Sequence, residues 1–202
     1  SGVSSTDGCS SMSESGAARF SLVDRLRVHV MLVLSALCTS CYKQVSNDML
    51  LLLPYCNVAH QAAFFETSRS SLYFFVLHDP NYRVRMHALS LLLALLKPSR
   101  GFFSVAMDQQ AAKQTSFISL SQKLALTLRD LHAVIEIGLG KEDDPGNRAL
   151  LMKLVPALAS VTPYDRLRKD DETDLLFPVL NRVLTVNASV LTADQLGCVL
   201  GV

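Results

Sequence analysis

Tryptophan is absent from the 202 residues, and only 18% of them are charged. The 19 basic residues nearly balance the 18 acidic ones, for a formal net charge of +1. No overall field therefore exists to draw in nucleic acid or an acidic membrane surface. No apolar run reaches the roughly 20 residues that a bilayer-spanning helix needs; the stretch from Val28 to Cys38 carries His29 and is flanked by Arg25 and Arg27. A signal-peptide layout is missing too, and five cysteines, an odd number, point to reduced thiols in an intracellular protein of the cytoplasm, the nucleus or both. There is no Gly-x-Ser-x-Gly elbow and no glycine-rich phosphate loop, so neither a serine hydrolase nor a nucleotide-binding enzyme is expected, and no cofactor.

What is present is leucine, in clusters such as Met49–Leu53 and Leu91–Leu96. Leucine is a strong helix former, while β-branched and aromatic residues are scattered rather than alternating, so the chain reads as all-α. Residues 1–17 are dominated by Ser and Gly and read as a disordered lead-in, leaving 18–202 as the folded part.

Helical spacing of Leu22, Leu26, Val30, Val33, Leu34 and Leu37 predicts a first helix from Ser21 to about Tyr42, with Ser21 and Asp24 as a capping box. A short helix follows over 46–53 and another over 71–77, ending at a turn, His78-Asp79-Pro80-Asn81. Between Tyr82 and Lys97 the polar residues Arg83, His87, Ser90 and Lys97 form one narrow stripe on an otherwise apolar helix, the pattern of a helix packed on two sides. A loop or short turn is expected over 98–115, then a long helix over 117–139, with a break made by Gly138, Gly140 and the run Lys141-Glu142-Asp143-Asp144-Pro145-Gly146. The last helices are placed at 147–161, with Leu150, Leu151, Leu154, Leu158 and Val161 inward, at 175–186, and from Thr192. Short connections between mid-length helices predict antiparallel pairs stacked as an α-solenoid, a segment of a longer array.

The stretch Asp79-Pro80-Asn81-Tyr82-Arg83-Val84-Arg85-Met86-His87-Ala88 resembles the centre of a HEAT repeat. Pro80 stands where a backbone N–H has no helical partner, and Val84 and Ala88 share a face on which the small Ala lets the neighbouring helix approach. The resemblance implies that Asp79 and Arg85 take part in a ladder through the stack, pairing with each other or with neighbouring repeats. Together with Gly101–Ala106, Leu128-Arg129-Asp130-Leu131-His132 and Pro163-Tyr164-Asp165-Arg166-Leu167, this stretch is similar to the HEAT repeat-containing protein 6 family over roughly residues 70–200. The resemblance implies a HEAT/armadillo-like helical fold and a non-catalytic scaffold for protein–protein interactions; the alternative is a carrier or transport adaptor of the karyopherin or clathrin-adaptor kind.

For a scaffold the candidate interaction surface is polar and helix-exposed: Arg83, His87 and Ser90 on one helix, with Gln122, Arg129 and Glu136 on another. Protein partners are expected. Nucleic acid is disfavoured because the basic sets Arg83, Arg85, Lys97, Arg100 and Arg166, Arg168, Lys169 are interrupted by acids and lack stacking aromatics. Cys38, Cys41, Cys56 and His60 have soft-ligand spacing that could in principle hold zinc. The opposing reading is favoured, because Cys38 and Cys41 close an apolar helix, where cysteine acts as a small hydrophobe.

Overall fold

The computed structural model describes residues 22–56, 58, 71–107, 118–167 and 175–186, and among them there is helix and no strand. The helices are α1 (Leu22–Ser40), α2 (Tyr42–Asn47), α3 (Met49–Leu52), α4 (Leu72–His78), α5 (Tyr82–Leu96), α6 (Arg100–Phe103), α7 (Leu120–Lys141), α8 (Pro145–Val161), α9 (Tyr164–Leu167) and α10 (176–186). The expected lead-in over 1–17 and the helix from Thr192 lie outside the described residues, as does His60.

Side-chain caps start the main helices. Ser71 Oγ accepts from Phe74 N–H ahead of α4, and Asn81 Oδ1 accepts from Arg83 N–H ahead of α5. Ser119 and Gln122 form a reciprocal capping box on α7, and Asp144 caps α8 with Pro145 in its first turn. Each such cap is worth about 1 kcal/mol. Asp24 pairs with the Arg27 guanidinium one turn along α1, and Ser21, expected with it in a capping box, lies outside the described residues.

Helices α4 and α5 form one antiparallel hairpin and α7 and α8 a second. The hairpins lie side by side, α4 against α7 and α5 against α8, and α1 packs on the free flank of α5. One row therefore holds α1, α5 and α8, and the other holds α4 and α7. The core runs between the rows through Leu89, Leu92, Leu96, Leu128, Leu131 and Leu154, all fully buried.

Within the loop or short turn expected over 98–115, Arg100–Phe103 make a helical turn, because burying the Phe103 ring against the core draws the backbone inward, and buried Ser99 bonds Leu96 O at 2.7 Å. The break expected around Gly138–Gly146 falls at 142–144; Gly138 and Gly140 themselves do not break α7, which continues to Lys141. Gly138 is a close-approach residue, since a Cβ there would stand 3.0 Å from Leu151 Cδ2 on α8. On α1 the apolar stripe Leu22, Leu26, Val30, Val33 and Leu37 faces outward, and the buried side is carried by Met31 and Cys38.

Candidate functional site

The two hairpin turns carry the same polar arrangement. Asp79 stands two residues before the Asn81 cap, and Glu142 two before the Asp144 cap. Asp79 Oδ1 accepts from Asn81 N–H at 2.9 Å, and Glu142 Oε1 accepts from Asp144 N–H at 3.1 Å. Four residues into each helix an arginine reaches back to the acid's own carbonyl. Arg85 Nη1 donates to Asp79 O at 2.8 Å, and Arg148 Nη2 to Glu142 O at 2.8 Å. Each carboxylate then takes an arginine from the preceding helix of its row: Arg27 of α1 sits 3.0 Å from Asp79 Oδ2, and Arg85 of α5 bonds Glu142 with both Nε and Nη2 at 2.8 Å.

Asp79 and Arg85 are thus joined through a main-chain carbonyl and otherwise serve neighbouring elements. Burial disfavours the charge on Glu142. The Arg85 bond, the Asp144 N–H, the Arg85 charge and the Asn147 amide outweigh that, and hold its pKa below the usual glutamate value. The Glu142 bond correspondingly lifts that of Arg85 against its own desolvation.

Arg27 and Arg85 occupy equivalent rungs, and this fixes the register between α1 and α5. Arg25-Leu26-Arg27-Val28-His29 aligns with Arg83-Val84-Arg85-Met86-His87, an Arg-x-Arg-x-His repeat that is in the sequence but went unused there. In that register Met31 and Cys38 fall on Leu89 and Leu96, buried at both places. Residues 25, 29, 32, 36 and 39 correspond to 83, 87, 90, 94 and 97, and form the outward stripes of the two helices.

The sequence-expected surface divides between the rows. Arg83, His87 and Ser90 lie on the outward stripe of α5. Arg83 is exposed, lies over the Tyr82 ring with its carbon 5.8 Å from the centroid, and donates Nε–H to the phenol oxygen at 3.2 Å. His87 and Ser90 are half-buried, and desolvation lowers the His87 pKa. Gln122, Arg129 and Glu136 lie on α7, in the other row, so the two triplets are not brought together by the principal helix contacts. Gln122 is engaged in the α7 capping box; Arg129 and Glu136 are half-buried. Val84 and Ala88 are both fully buried, and Pro80 is exposed in its turn.

Cys38 and Cys56 are buried, and burial raises both thiol pKa values, whereas Cys41 is exposed. Among the described residues no three His, Cys, Asp or Glu side chains converge as metal ligands. Cys56 is instead part of a structural tie, in which buried Asp130 of α7 accepts the N–H groups of Cys56 at 2.7 Å and Val58 at 2.8 Å. The other sequence stretches that carry the family resemblance also meet in space. His132 Nδ1–H donates to Leu128 O at 2.7 Å, which leaves Nε2 to accept from the Tyr164 hydroxyl at 3.0 Å, and Arg166 Nη1 donates to Ser104 O at 2.8 Å. These residues fasten α9 and α6 to the hairpins.

A cavity of about 340 Å³ opens beside the rungs between the hairpins, lined by His78, Asp79, Arg85, Lys141, Glu142 and Asp143 among others. Desolvation, and then the Lys141 charge, lower the His78 pKa. Two of the cavity's three carboxylates, Asp79 and Glu142, are committed to Arg27 and Arg85. No helix of the described residues is long and apolar enough to cross a membrane.

No solved structure matches the chain. A family model does, over residues 25–200, a span that takes in α1 from its fourth residue, both hairpins and every rung described above. The chain belongs to the family described as "Domain of unknown function (DUF4042)".

Proposed function

We propose that the chain is a non-catalytic scaffold, an α-solenoid of HEAT-type helix pairs that binds protein partners along the outward faces of its helices. The observation that carries this reading is the rung made twice with the same bonds, Arg27 to Asp79 and Arg85 to Glu142. An acid that caps its own turn while accepting an arginine from the preceding unit is a device for setting one helix pair against the next. Side-by-side stacking of pairs yields a surface that grows with each unit and suits extended partners. The Arg-x-Arg-x-His repeat supports the same reading, because it makes α1 and α5 equivalent members of one row.

A photo-cross-linking residue placed at His87, Ser90 or Glu136 of the full-length protein in cells tests the proposal. The scaffold reading expects discrete protein adducts from at least one helix face, competed by the unlabelled protein. Absence of adducts from every position on both α5 and α7 would remove it.

A further inference from the structure

The exposed apolar stripe of α1 runs the length of the helix and reads the same in both directions. Leu22 is 82% exposed, Leu26 64%, Val30 47%, Val33 58% and Leu37 48%. The matching face of α5 is closed by its hairpin partner α4. The sequence ahead of α1, rich in Ser and Gly, has no apolar period with which to supply such a partner. Measured from the middle of the helix, Leu22 mirrors Leu37 and Leu26 mirrors Val33, with Val30 at the centre. Charge is not mirrored. Asp24, Arg25, Arg27 and His29 all lie before Val30, and Val30–Ser40 has no acidic or basic side chain.

We propose that α1 is a dimerisation helix, which docks antiparallel through this stripe on the α1 of a second copy of the chain. A two-fold contact needs a patch that is its own complement, and a stripe symmetric about Val30 is such a patch. In the antiparallel pair Leu26 of one copy meets Val33 of the other, and the charged half of each helix lies beside the uncharged half of its partner. A parallel pair would set Arg25 beside Arg25 and align the two helix dipoles, both unfavourable. The stripe takes four steps from residue 22 to residue 37, a longer period than the 3.5 residues of a coiled coil. The helices therefore cross instead of winding together, at the roughly −50° of ridge-into-groove packing, and contact concentrates on Leu26, Val30 and Val33. One helix per copy buries less than about 1,200 Å², the range of weak, reversible association, so the dimer forms at about 10–100 μM and the chain is monomeric in dilute solution. This face is separate from the outward stripes offered to protein partners, so the dimer and the scaffold reading stand or fall independently.

Sedimentation equilibrium of the full chain over about 5–500 μM is the test, a range that brackets the expected dissociation constant. Wild type should pass from monomer to dimer. Leu26→Lys and Val33→Glu should each weaken dimerisation about tenfold or more, because each presses a charge against an apolar side chain of the other copy. An equimolar mixture of the two variants should dimerise nearly as well as wild type. Antiparallel docking sets the introduced lysine against the introduced glutamate and leaves the second Leu26–Val33 contact whole. Both variants should melt at the wild-type temperature at about 5 μM, where the chain is monomeric and the two positions are solvent-exposed. The inference is overturned if wild type stays monomeric throughout, as it would with the stripe covered by another segment of the chain. Single variants that dimerise like wild type, or a mixture no better than either variant alone, overturn it equally.

Discussion

Replacing Glu142 with alanine withdraws the acceptor from three donors at once: the Arg85 guanidinium, the Asp144 N–H and the Asn147 amide. The glutamate side chain is 4% exposed and that of Arg85 20%, so solvent can replace little of what is lost. A hydrogen bond to a charged group contributes about 1.5–3 kcal/mol, and stranding a partly buried partner adds to the loss. Arg85 keeps its bond to Asp79 O and some water, which trims the figure, and about 3 kcal/mol is expected for Glu142→Ala. Arg85→Ala should lose about 2–3 kcal/mol, and the double variant little more than the worse single one. Pairwise coupling is then about 1.5–2 kcal/mol. For a domain of this size the single loss lowers the melting temperature by about 6–12 °C. Urea unfolding of the four proteins measures the cycle, provided the slope with denaturant stays constant. Additive losses, with coupling below about 0.5 kcal/mol, would refute the claim that this rung holds the second hairpin to the first.

Because Glu142 has a lowered pKa in the folded protein, its contribution is present above the unfolded carboxylate value of about 4.3 and fades as pH falls through that value towards the folded one. Melting of wild type should therefore drop more steeply than that of Glu142→Gln between about pH 5 and pH 3; parallel profiles would contradict it. Gly138→Ala should be neutral or destabilising, because its Cβ meets Leu151 at 3.0 Å. Gly140→Ala meets only the flexible Arg182 guanidinium at 3.2 Å and should gain up to about 1 kcal/mol of helix propensity, so thermal melts that rank the two the other way would refute the close-approach role. Tyr164→Phe leaves buried His132 Nε2 without its donor and should lose about 1–2 kcal/mol, a loss that chemical denaturation would detect. Leu26→Gln with Val33→Gln should change stability by less than about 0.5 kcal/mol each, while Val84→Gln alone should lose several; equal losses would show that the α1 stripe is covered.

Where one strong local signal dominates, the sequence is legible. Ser71 and Asn81 cap helices whose observed starts lie within a residue of the expected ones, whereas the long helix expected from 117 starts at Leu120 behind the Ser119 cap. Gly138 was misread because glycine has two uses in a helix, ending it or admitting a neighbour; only the position of Leu151 on another helix decides between them. Arg100–Phe103 are legible only as a loop or short turn because a single helical turn has no periodicity, and its helix comes from burying Phe103 rather than from propensity. The polar stripe of α5 was legible as Arg83, His87 and Ser90, but its continuation onto α1 was not. Glu142 was read as part of a charged run, since nothing local distinguishes an acid that reaches a residue 57 positions away.

The Arg-x-Arg-x-His repeat accounts for two features of α1 that seem unrelated. In its register Leu26, Val30, Val33 and Leu37 correspond to Val84, Ala88, Leu91 and Leu95, which are all fully buried in α5, yet the α1 set is 47–64% exposed. The difference is one of neighbours rather than composition: α5 has α4 beneath it and α1 at its flank, and among the described residues α1 has no such hairpin mate. The apolar pattern therefore specifies the same two-sided burial for both helices, and only one receives it. Hydrophobic spacing alone therefore does not tell which side of α1 packs, while the charged rung at Arg27 identifies it. Placing a helix in this architecture depends on its arginine first and on its leucines second.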